Sequence, residues 1–150
     1  MRIRELRPGD PAVKQLTELV RHMSERLAEE GSAAAAAVVA QSATSVLVAE
    51  NDDEKVVGMI SLFEFDAFSG RHGWLEDLVV DPGARGDGVG QDLMDHAVAL
   101  ARRRGIEKLL SCSHPRRLAA NRTHVAAGFD LSESNLYHVR FDAPRSTPVS

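Results

Sequence analysis

The segment that most constrains the fold runs from an apolar strand, through a turn with three glycines, into a helix. The apolar residues 78–80 precede Asp81, Pro82 and Gly83, and the turn itself covers 85–90 with the sequence Arg-Gly-Asp-Gly-Val-Gly. Beyond it, apolar residues at spacings of three and four predict an amphipathic helix that ends near residue 105. A strand joined tightly to a long helix predicts a domain in which helices pack on a sheet.

The same turn predicts an anion-binding site. Glycine permits unusual φ values and lets a ligand approach the backbone closely. The first N–H groups of the helix lack intrahelical partners, and the helix dipole adds about half a positive charge there, which suits a phosphate or pyrophosphate. The spacing matches neither the dinucleotide fingerprint nor a nucleotide phosphate loop. The alternative is that the glycines only tighten a connection between strand and helix.

The rest of the chain alternates apolar runs with turn signals. Strands are predicted over 3–6, 45–49, 56–65, 74–80, 106–113, 129–131 and 136–141, and helices over 11–31, 32–41, 89–105 and 116–127. This order predicts one α/β domain over 1–142, with a central mixed, mostly antiparallel sheet of six to seven strands flanked by about four helices. We expect residues 143–150 to form a flexible tail.

Composition excludes several classes of function. The net charge of −4 provides no global field for nucleic acid or an anionic membrane. The single cysteine, Cys112, excludes an internal disulfide and a cysteine-rich zinc site, and the histidines show no metal-binding spacing. No apolar run has the roughly 18 residues that a membrane span requires. We therefore expect a cytoplasmic protein without a metal, a nucleic-acid partner or a membrane partner.

Arg85, Gly88 and Gly90 match the R/Q-x-x-G-x-G/A motif of the GNAT family of N-acetyltransferases, which this chain resembles. The resemblance is close over residues 74–129 and follows the element order over 1–141. It implies a GNAT-like domain that transfers an acetyl group from acetyl-CoA to a primary amine. The amine would attack the thioester directly, in a ternary complex.

The resemblance also implies where the acetyl-CoA cofactor binds. In this family the pantetheine arm pairs, like an extra strand, with the strand before the motif, which here supplies Leu78, Val79 and Val80. The turn and the start of the helix would hold the pyrophosphate through Arg85, Gly86, Asp87, Gly88, Val89, Gly90 and Gln91. Asn121 would hydrogen-bond the cofactor arm. Asp87 departs from the family, since a carboxylate beside a pyrophosphate is repulsive unless it points away.

Two carboxylates are candidates for the catalytic base. The attacking amine must be neutral, although the ordinary pKa of a lysine-like amine is about 10.4, so a proton acceptor is required. Glu76 and Asp77 lie on opposite faces of their strand, because side chains alternate along a strand. We take Glu76 as the base, with Asp77 as the alternative. A structural role for both carboxylates, as partners of Arg or His, is the competing interpretation.

The candidate general acid is His124. Many family members have a tyrosine four residues before the glycine of a Gly-Phe pair, where it protonates the leaving thiolate. That position before Gly128 is occupied here by His124. Histidine donates a proton near neutral pH, so His124 is predicted to replace the tyrosine. The alternative is a helix-surface histidine without a role.

The predicted function is therefore N-acetyltransfer to a primary amine, with a small molecule as the favoured acceptor. A basic pair, Arg116 and Arg117, suits a phosphorylated or carboxylated substrate or a phosphate of the cofactor. One alternative is a coenzyme A-binding sensor or partner module with little or no transferase activity. A nucleotide-binding module that prefers ATP or NAD is another. Members of the family often form homodimers, so the resemblance also implies a homodimer, with the C-terminal strands at the contact.

Overall fold

The computed structural model describes residues 1–21 and 25–141, with side chains described for 1–21 and 31–141. The predicted end of the domain at 142 and the predicted tail over 143–150 lie outside the described residues. The elements in chain order are β1 (Arg2–Glu5), α1 (Val13–Val20), α2 (Glu25–Val39), β2 (Thr44–Glu50), β3 (Val56–Ala67), β4 (Gly70–Val80), a short 3-10 turn (Pro82–Ala84), α3 (Val89–Arg103), β5 (Lys108–Ser111) and α4 (Leu118–Ala126).

The described strands form one sheet in the order β1-β2-β3-β4-β5. Neighbours from β1 to β4 are antiparallel, whereas β4 and β5 are parallel. The parallel pair requires a crossover, which α3 provides on one face of the sheet. The mixed, mostly antiparallel α/β architecture that the sequence predicts is confirmed, as are four helices in the described part of the chain.

The prediction of six to seven strands is wrong for the described residues, which form five. Residues 129–131 and 136–141 adopt no strand. Apart from Phe129, which packs against the α3 core, their large apolar side chains face solvent, with Leu131 at 97% and Tyr137 at 85% exposure. Alternating apolar residues specify a strand only where one face is buried against a layer, and no described layer covers these. The homodimer expected at this segment stays a prediction.

The helical segment before β2 is divided differently from the prediction of one helix over 11–31 and another over 32–41. Helix α1 ends at Val20, and α2 extends from Glu25 to Val39. Gly31 has φ 65° and ψ −157°, so the helical conformation is interrupted inside α2 at that residue. Only glycine adopts such angles readily, and Gly31 is also the residue at which the sequence predicts a helix to end.

Two apolar layers cover the two faces of the sheet. On one face, α3 packs its stripe of Leu93, Met94 and Ala97 against residues of β3 and β4. On the other face, α1 packs against β2 and the start of β3. The approach of α3 is close, because a Cβ added to Gly58 would lie 2.9 Å from Leu93 Cδ1. This packing places the N-terminus of α3 directly beyond the end of β4, where the glycine turn lies.

A buried ion-pair cluster joins the N-terminal segment to the sheet. Glu50, with a side chain only 6% exposed, accepts hydrogen bonds from Arg4 Nη2 at 2.7 Å and from Arg2 Nη2 at 2.7 Å. Arg4 also binds Asp10, which accepts from the Ala12 backbone N–H before α1. Hydrogen bonds from Arg4 are the main cause of the lowered pKa of both Asp10 and Glu50, against the opposing effect of burial.

We expect Glu50→Gln to lower the free energy of unfolding by about 3 kcal/mol at pH 7, because breaking a buried pair leaves Arg4 partly uncompensated. A carboxylate with a lowered native pKa stabilises the fold above its unfolded pKa of about 4, and this contribution is lost as the pH falls further. The difference between wild type and variant, measured by urea unfolding, should therefore shrink on acidification below about pH 4.

The control is Glu18→Gln, which removes one partner of the exposed Glu18–Arg21 pair. Exposed pairs contribute little, so we expect a change below about 0.5 kcal/mol at every pH. Equal losses in the two variants would contradict a stabilising role for the buried cluster.

Candidate active site

Strand β4 loses one of its two neighbours halfway along its length. Its pairing with β5 covers His72 to Leu75, which lie opposite Lys108 to Ser111. Beyond Leu75, β4 stays paired with β3 on its other side, with Met59 opposite Val79. On the β5 side, the backbone from Glu76 to Val80 therefore has no strand partner among the described residues. The sheet opens there into a cleft bounded by an unpaired strand edge.

A β-bulge lies where the cleft begins. Met59 pairs with Val79 and Ser61 with Glu76, so Ile60 faces the two residues Asp77 and Leu78. Asp77 has φ 57°, a left-handed conformation that is strained for a residue with a Cβ. Bulges redirect side chains and end regular pairing, and strained backbone concentrates at functional sites. The predicted base region, Glu76 and Asp77, is thus a distorted segment at the mouth of the cleft.

The cleft contains a cavity of about 850 Å³. It is lined by the open edge of β4, the glycine turn and the first residues of both α3 and α4. The sequence-predicted cofactor residues among its lining are Leu78, Val79, Val80, Arg85, Gly86, Gly88, Val89, Gly90 and Gln91. Val89 is only 4% exposed because its side chain belongs to the α3 core, so it faces the cavity mainly through its backbone. The structure therefore brings nine of the predicted positions to one cavity.

The electrostatics of this cavity favour an anion. Among the described residues that line it, the only charged ones are Arg85 and Arg117. The first turn of α4, Leu118 to Ala120, lines the cavity together with Thr123, so the positive ends of two helix dipoles meet here. Arg85 Nε donates to Val80 O over 3.3 Å, which holds this cation against the end of β4.

The glycine turn provides an open cradle. Gly88 is the N-cap of α3, with φ 82°, and Gly86 has φ 90°. A Cβ built on either glycine would meet no atom within 4 Å, so the Cα positions of both border open space. Asp87 lines a different cavity, together with Asp52 and Lys55, on the far side of the turn. Its carboxylate is thus directed away from the region that suits an anion.

Asn121, like Asp87, is a predicted cofactor residue that does not line the large cavity. Its Nδ2 donates to His114 O at 3.2 Å and to Pro115 O at 3.1 Å, so both amide protons hold the loop before α4. Asn121 does not line the 850 Å³ cavity. Its contact with a cofactor arm stays a prediction, while its structural bonds explain the conformation of the loop.

The predicted catalytic residues meet at a second, smaller cavity of about 60 Å³. Glu76 and Asp77 line it from β4, His124 lines it from α4, and Arg117 is shared with the larger cavity. Glu76 is exposed, and its Oε1 accepts a hydrogen bond from Trp74 Nε1 at 2.6 Å. The indole bond orients this carboxylate at the bulge.

His124 is half-buried and held at both ring nitrogens. Nδ1 lies 2.7 Å from Ala120 O, and Nε2 lies 2.8 Å from Ser111 Oγ. The ring also contacts Phe129 edge-on, with centroids 5.5 Å apart. His124 is therefore packed and hydrogen-bonded, and its catalytic role and the alternative of no role both stay predictions.

Sequence reasoning missed Ser111 and Ser113. Ser111 ends β5 and Ser113 follows it, and neither belongs to a motif, so no local signal identifies them. Ser113 Oγ is buried without a hydrogen-bond partner and lines the small cavity. A buried hydroxyl without a partner is costly, and it is available to a ligand that enters there.

Within the described ranges, no group of three or more His, Cys, Asp or Glu side chains is placed to hold a metal ion. Over the same ranges, no helix combines the length and apolar character that crossing a membrane demands.

The chain is similar to known acetyltransferases. A sequence model of the acetyltransferase (GNAT) family matches residues 13–129. A search of curated proteins finds no match. Among solved structures, a putative acetyltransferase from Agrobacterium tumefaciens str. C58 superimposes with a TM-score of 0.79 at 21% identity, covering 93% of this chain and 100% of that one.

Two other similar structures differ in what their descriptions say of the acceptor. A ribosomal-protein-alanine N-acetyltransferase from Brucella melitensis biovar Abortus 2308 has a TM-score of 0.76 at 19% identity, covering 94% of this chain and 100% of that one. AAC(6')-Iy, in complex with the bisubstrate analogue CoA-S-monomethyl-acetylneamine, has a TM-score of 0.74 at 16% identity, covering 93% and 97% respectively. These likenesses concern the fold.

The left-handed backbone at the bulge predicts that glycine is more stable than alanine at residue 77. Because Asp77 has positive φ, Asp77→Gly should be more stable than Asp77→Ala by about 1–2 kcal/mol. At Asp66, on β3 with ordinary φ, the order should reverse, with glycine less stable than alanine by about 0.5–1 kcal/mol. Urea unfolding of the four variants measures both differences. The same order at both positions would contradict the left-handed conformation of Asp77.

Proposed function

The chain belongs to the GNAT family of acetyltransferases, and from this we propose that it is an N-acetyltransferase that uses acetyl-CoA. The acceptor is a primary amine, probed first as a small molecule, which attacks the thioester directly in a ternary complex. The observation that carries the proposal is the 850 Å³ cavity, in which an unpaired strand edge, two helix N-termini and two arginines face one another.

The residues present fit the donor. An extended, amide-bearing arm can add to a free strand edge by main-chain hydrogen bonds, and Leu78 to Val80 provide such an edge. The backbone N–H groups of Gly86 and Gly88 to Gln91, with Arg85 and Arg117, suit the phosphates. When bound, acetyl-CoA supplies an activated acetyl thioester. The buried, unpartnered Ser113 Oγ offers a further hydrogen bond at the inner end of the cleft.

Glu76 is proposed as the group that accepts the proton of the amine. Its Oε1 is held by Trp74, and no described residue contacts its Oε2, so one carboxylate oxygen stays open to solvent and substrate. A carboxylate can take the proton directly or through a water molecule. Asp77, at the adjacent bulge, remains the alternative. Both carboxylates favour an acceptor that arrives as a cation.

A small-molecule acceptor is the finer part of the proposal. The descriptions of similar structures include both a ribosomal-protein-alanine N-acetyltransferase and a complex with an acetylneamine analogue, so they support either size of acceptor. We favour a small molecule because the carboxylates lie at a narrow cavity of about 60 Å³ that admits an amine on a slender arm.

The coenzyme A-binding module is the second candidate. It is favoured by the engagement of both ring nitrogens of His124, which leaves no free N–H on the ring for a leaving thiolate. Asp87, which departs from the family motif, does not support this module, because it lines another cavity. Binding and turnover experiments distinguish the two candidates.

We expect Gly88→Glu to weaken acetyl-CoA binding by about a hundredfold, because the new carboxylate projects into the open cradle. The control is Gly105→Glu, at the other end of α3. Gly105 has φ 72° and an equally open surrounding, so the variant carries the same added charge and a similar backbone strain. Isothermal titration calorimetry with acetyl-CoA, ATP and NAD measures the affinities. Equal weakening by both variants, or preference for ATP or NAD, would contradict the proposed donor site.

We expect Glu76→Gln to lower kcat/KM for amines by about a hundredfold, while acetyl-CoA binding is retained. Glutamine keeps an acceptor for Trp74 and removes the base. Asp66→Asn makes the same chemical change at an exposed position of β3 and should leave turnover unchanged. A thiol-release assay across a panel of amines gives the rates. Tight coenzyme A binding without turnover of any amine would support the module instead.

A further inference from the structure

Ser111 and His124 form a hydrogen-bonded pair on the wall of the small cavity. Ser111 is the last residue of β5 and His124 lies on α4, so the pair joins the end of a strand to a helix. Ser111 Oγ and His124 Nε2 are 2.8 Å apart. Glu76, Asp77 and Arg117 line the same cavity.

The surroundings of the pair determine the tautomer of the imidazole. His124 Nδ1 lies 2.7 Å from Ala120 O, and a carbonyl oxygen can only accept, so Nδ1 carries a proton. In the neutral ring Nε2 is then the acceptor, and the Ser111 hydroxyl donates to it. The edge contact with Phe129, which packs on the α3 core, holds the ring in this orientation.

The same geometry limits how His124 can exchange a proton with a ligand. Nδ1 is covered by its own helix and Nε2 by Ser111, so the ring presents no free N–H to the cavity. When the ring is protonated at Nε2, that proton points at Ser111 Oγ. The hydroxyl proton of Ser111 is then released to another acceptor, for which Leu75 O at 3.4 Å is the nearest described choice.

We propose that the Ser111 hydroxyl is the proton donor to the departing sulfur and that His124 acts through it. This deepens the proposed N-acetyltransfer and rests on it. As the carbon–sulfur bond breaks, its electron pair stays on sulfur, which takes the Ser111 hydroxyl proton. Before this step, His124 takes a second proton from solvent at Nε2 and becomes an imidazolium. Ser111 Oγ takes that Nε2 proton as it releases its own. His124 ends neutral and regains a proton from solvent, balanced by the proton that the acceptor amine releases.

The first test needs no turnover. ¹⁵N NMR of the ligand-free protein should show His124 protonated at Nδ1, with Nε2 as a hydrogen-bonded acceptor. In Ser111→Ala, the Nε2 signal should move to that of a free acceptor while the Nδ1–H signal stays. Ser45→Ala removes another hydroxyl of the same sheet, buried without a partner, and should change neither signal. A neutral ring that carries its proton on Nε2 instead of Nδ1, or an unmoved Nε2 signal in Ser111→Ala, overturns the pair.

The second test separates this relay from the proposed function. We expect Ser111→Ala to lower kcat about 30-fold with KM for acetyl-CoA nearly unchanged, and Ser111→Thr, which keeps a hydroxyl, to restore most of the rate. Adding His124→Phe to Ser111→Ala should cause little further loss, because the two residues act as a unit. Unchanged kcat in Ser111→Ala overturns the relay and leaves the proposed transferase intact.

The third test is mass spectrometry of the protein during turnover. An acetyl group on Ser111 would overturn the relay, because the serine would then be a nucleophile activated by His124. A wild-type chain that binds acetyl-CoA but acetylates no amine would overturn the transferase and the relay together. The NMR signals of the resting pair are independent of that result.

Discussion

The site depends on the place where β5 stops pairing with β4. The parallel pairing ends at Leu75 and Ser111, and β4 continues to Val80 with one edge free. Strand edges with unpaired N–H and C=O groups bind further strands or extended ligands. The bulge at Asp77 lies two residues after Leu75, so the divergence of the strands nearly coincides with a local change in the direction of β4.

The positions of α3 and α4 follow from the separation of β4 and β5. Helix α3 crosses one face of the sheet and must begin close to the end of β4, since the turn between them is short. Helix α4 begins a few residues after β5 has left the sheet, and its first turn lines the other wall of the cavity. Two positive helix ends thus border one cleft, joined by Arg85 and Arg117. The acidic residue of the turn, Asp87, lines a different cavity and is absent from the lining of this one.

A different interaction, a cluster of ion pairs, attaches the N-terminal segment to the sheet. The short strand β1 and the start of α1 are held to β2 by Arg4, Asp10 and Glu50, whose charges are largely removed from water. Such a cluster constrains the relative positions of its side chains, because each carboxylate oxygen must meet a guanidinium proton. It anchors the layer of α1 on the face of the sheet opposite α3, so the cleft-forming helices are not required for that attachment.

Much of the fold could be predicted because its signals are local. The apolar runs of β2, β3 and β4, the glycine turn and the stripe of α3 each depend on neighbours within a few residues, and the structure contains all of them. The segment over 129–141 was predicted wrongly as strands, since its alternation of apolar and polar residues is satisfied only if another surface covers it. The nine lining positions around the turn were predicted by resemblance to a family motif.

By itself, the sequence determined that a strand, a glycine turn and a helix follow one another, because chain connectivity and backbone freedom specify that arrangement. Only the tertiary structure decided that Asp87 faces away from the cavity, that Asn121 holds a loop and that Ser111 meets His124. The reason is that these contacts join residues whose separation is set by how α3 and α4 pack on the sheet. The spacing of residues in the sequence does not specify the direction in which a side chain points across such a packing contact.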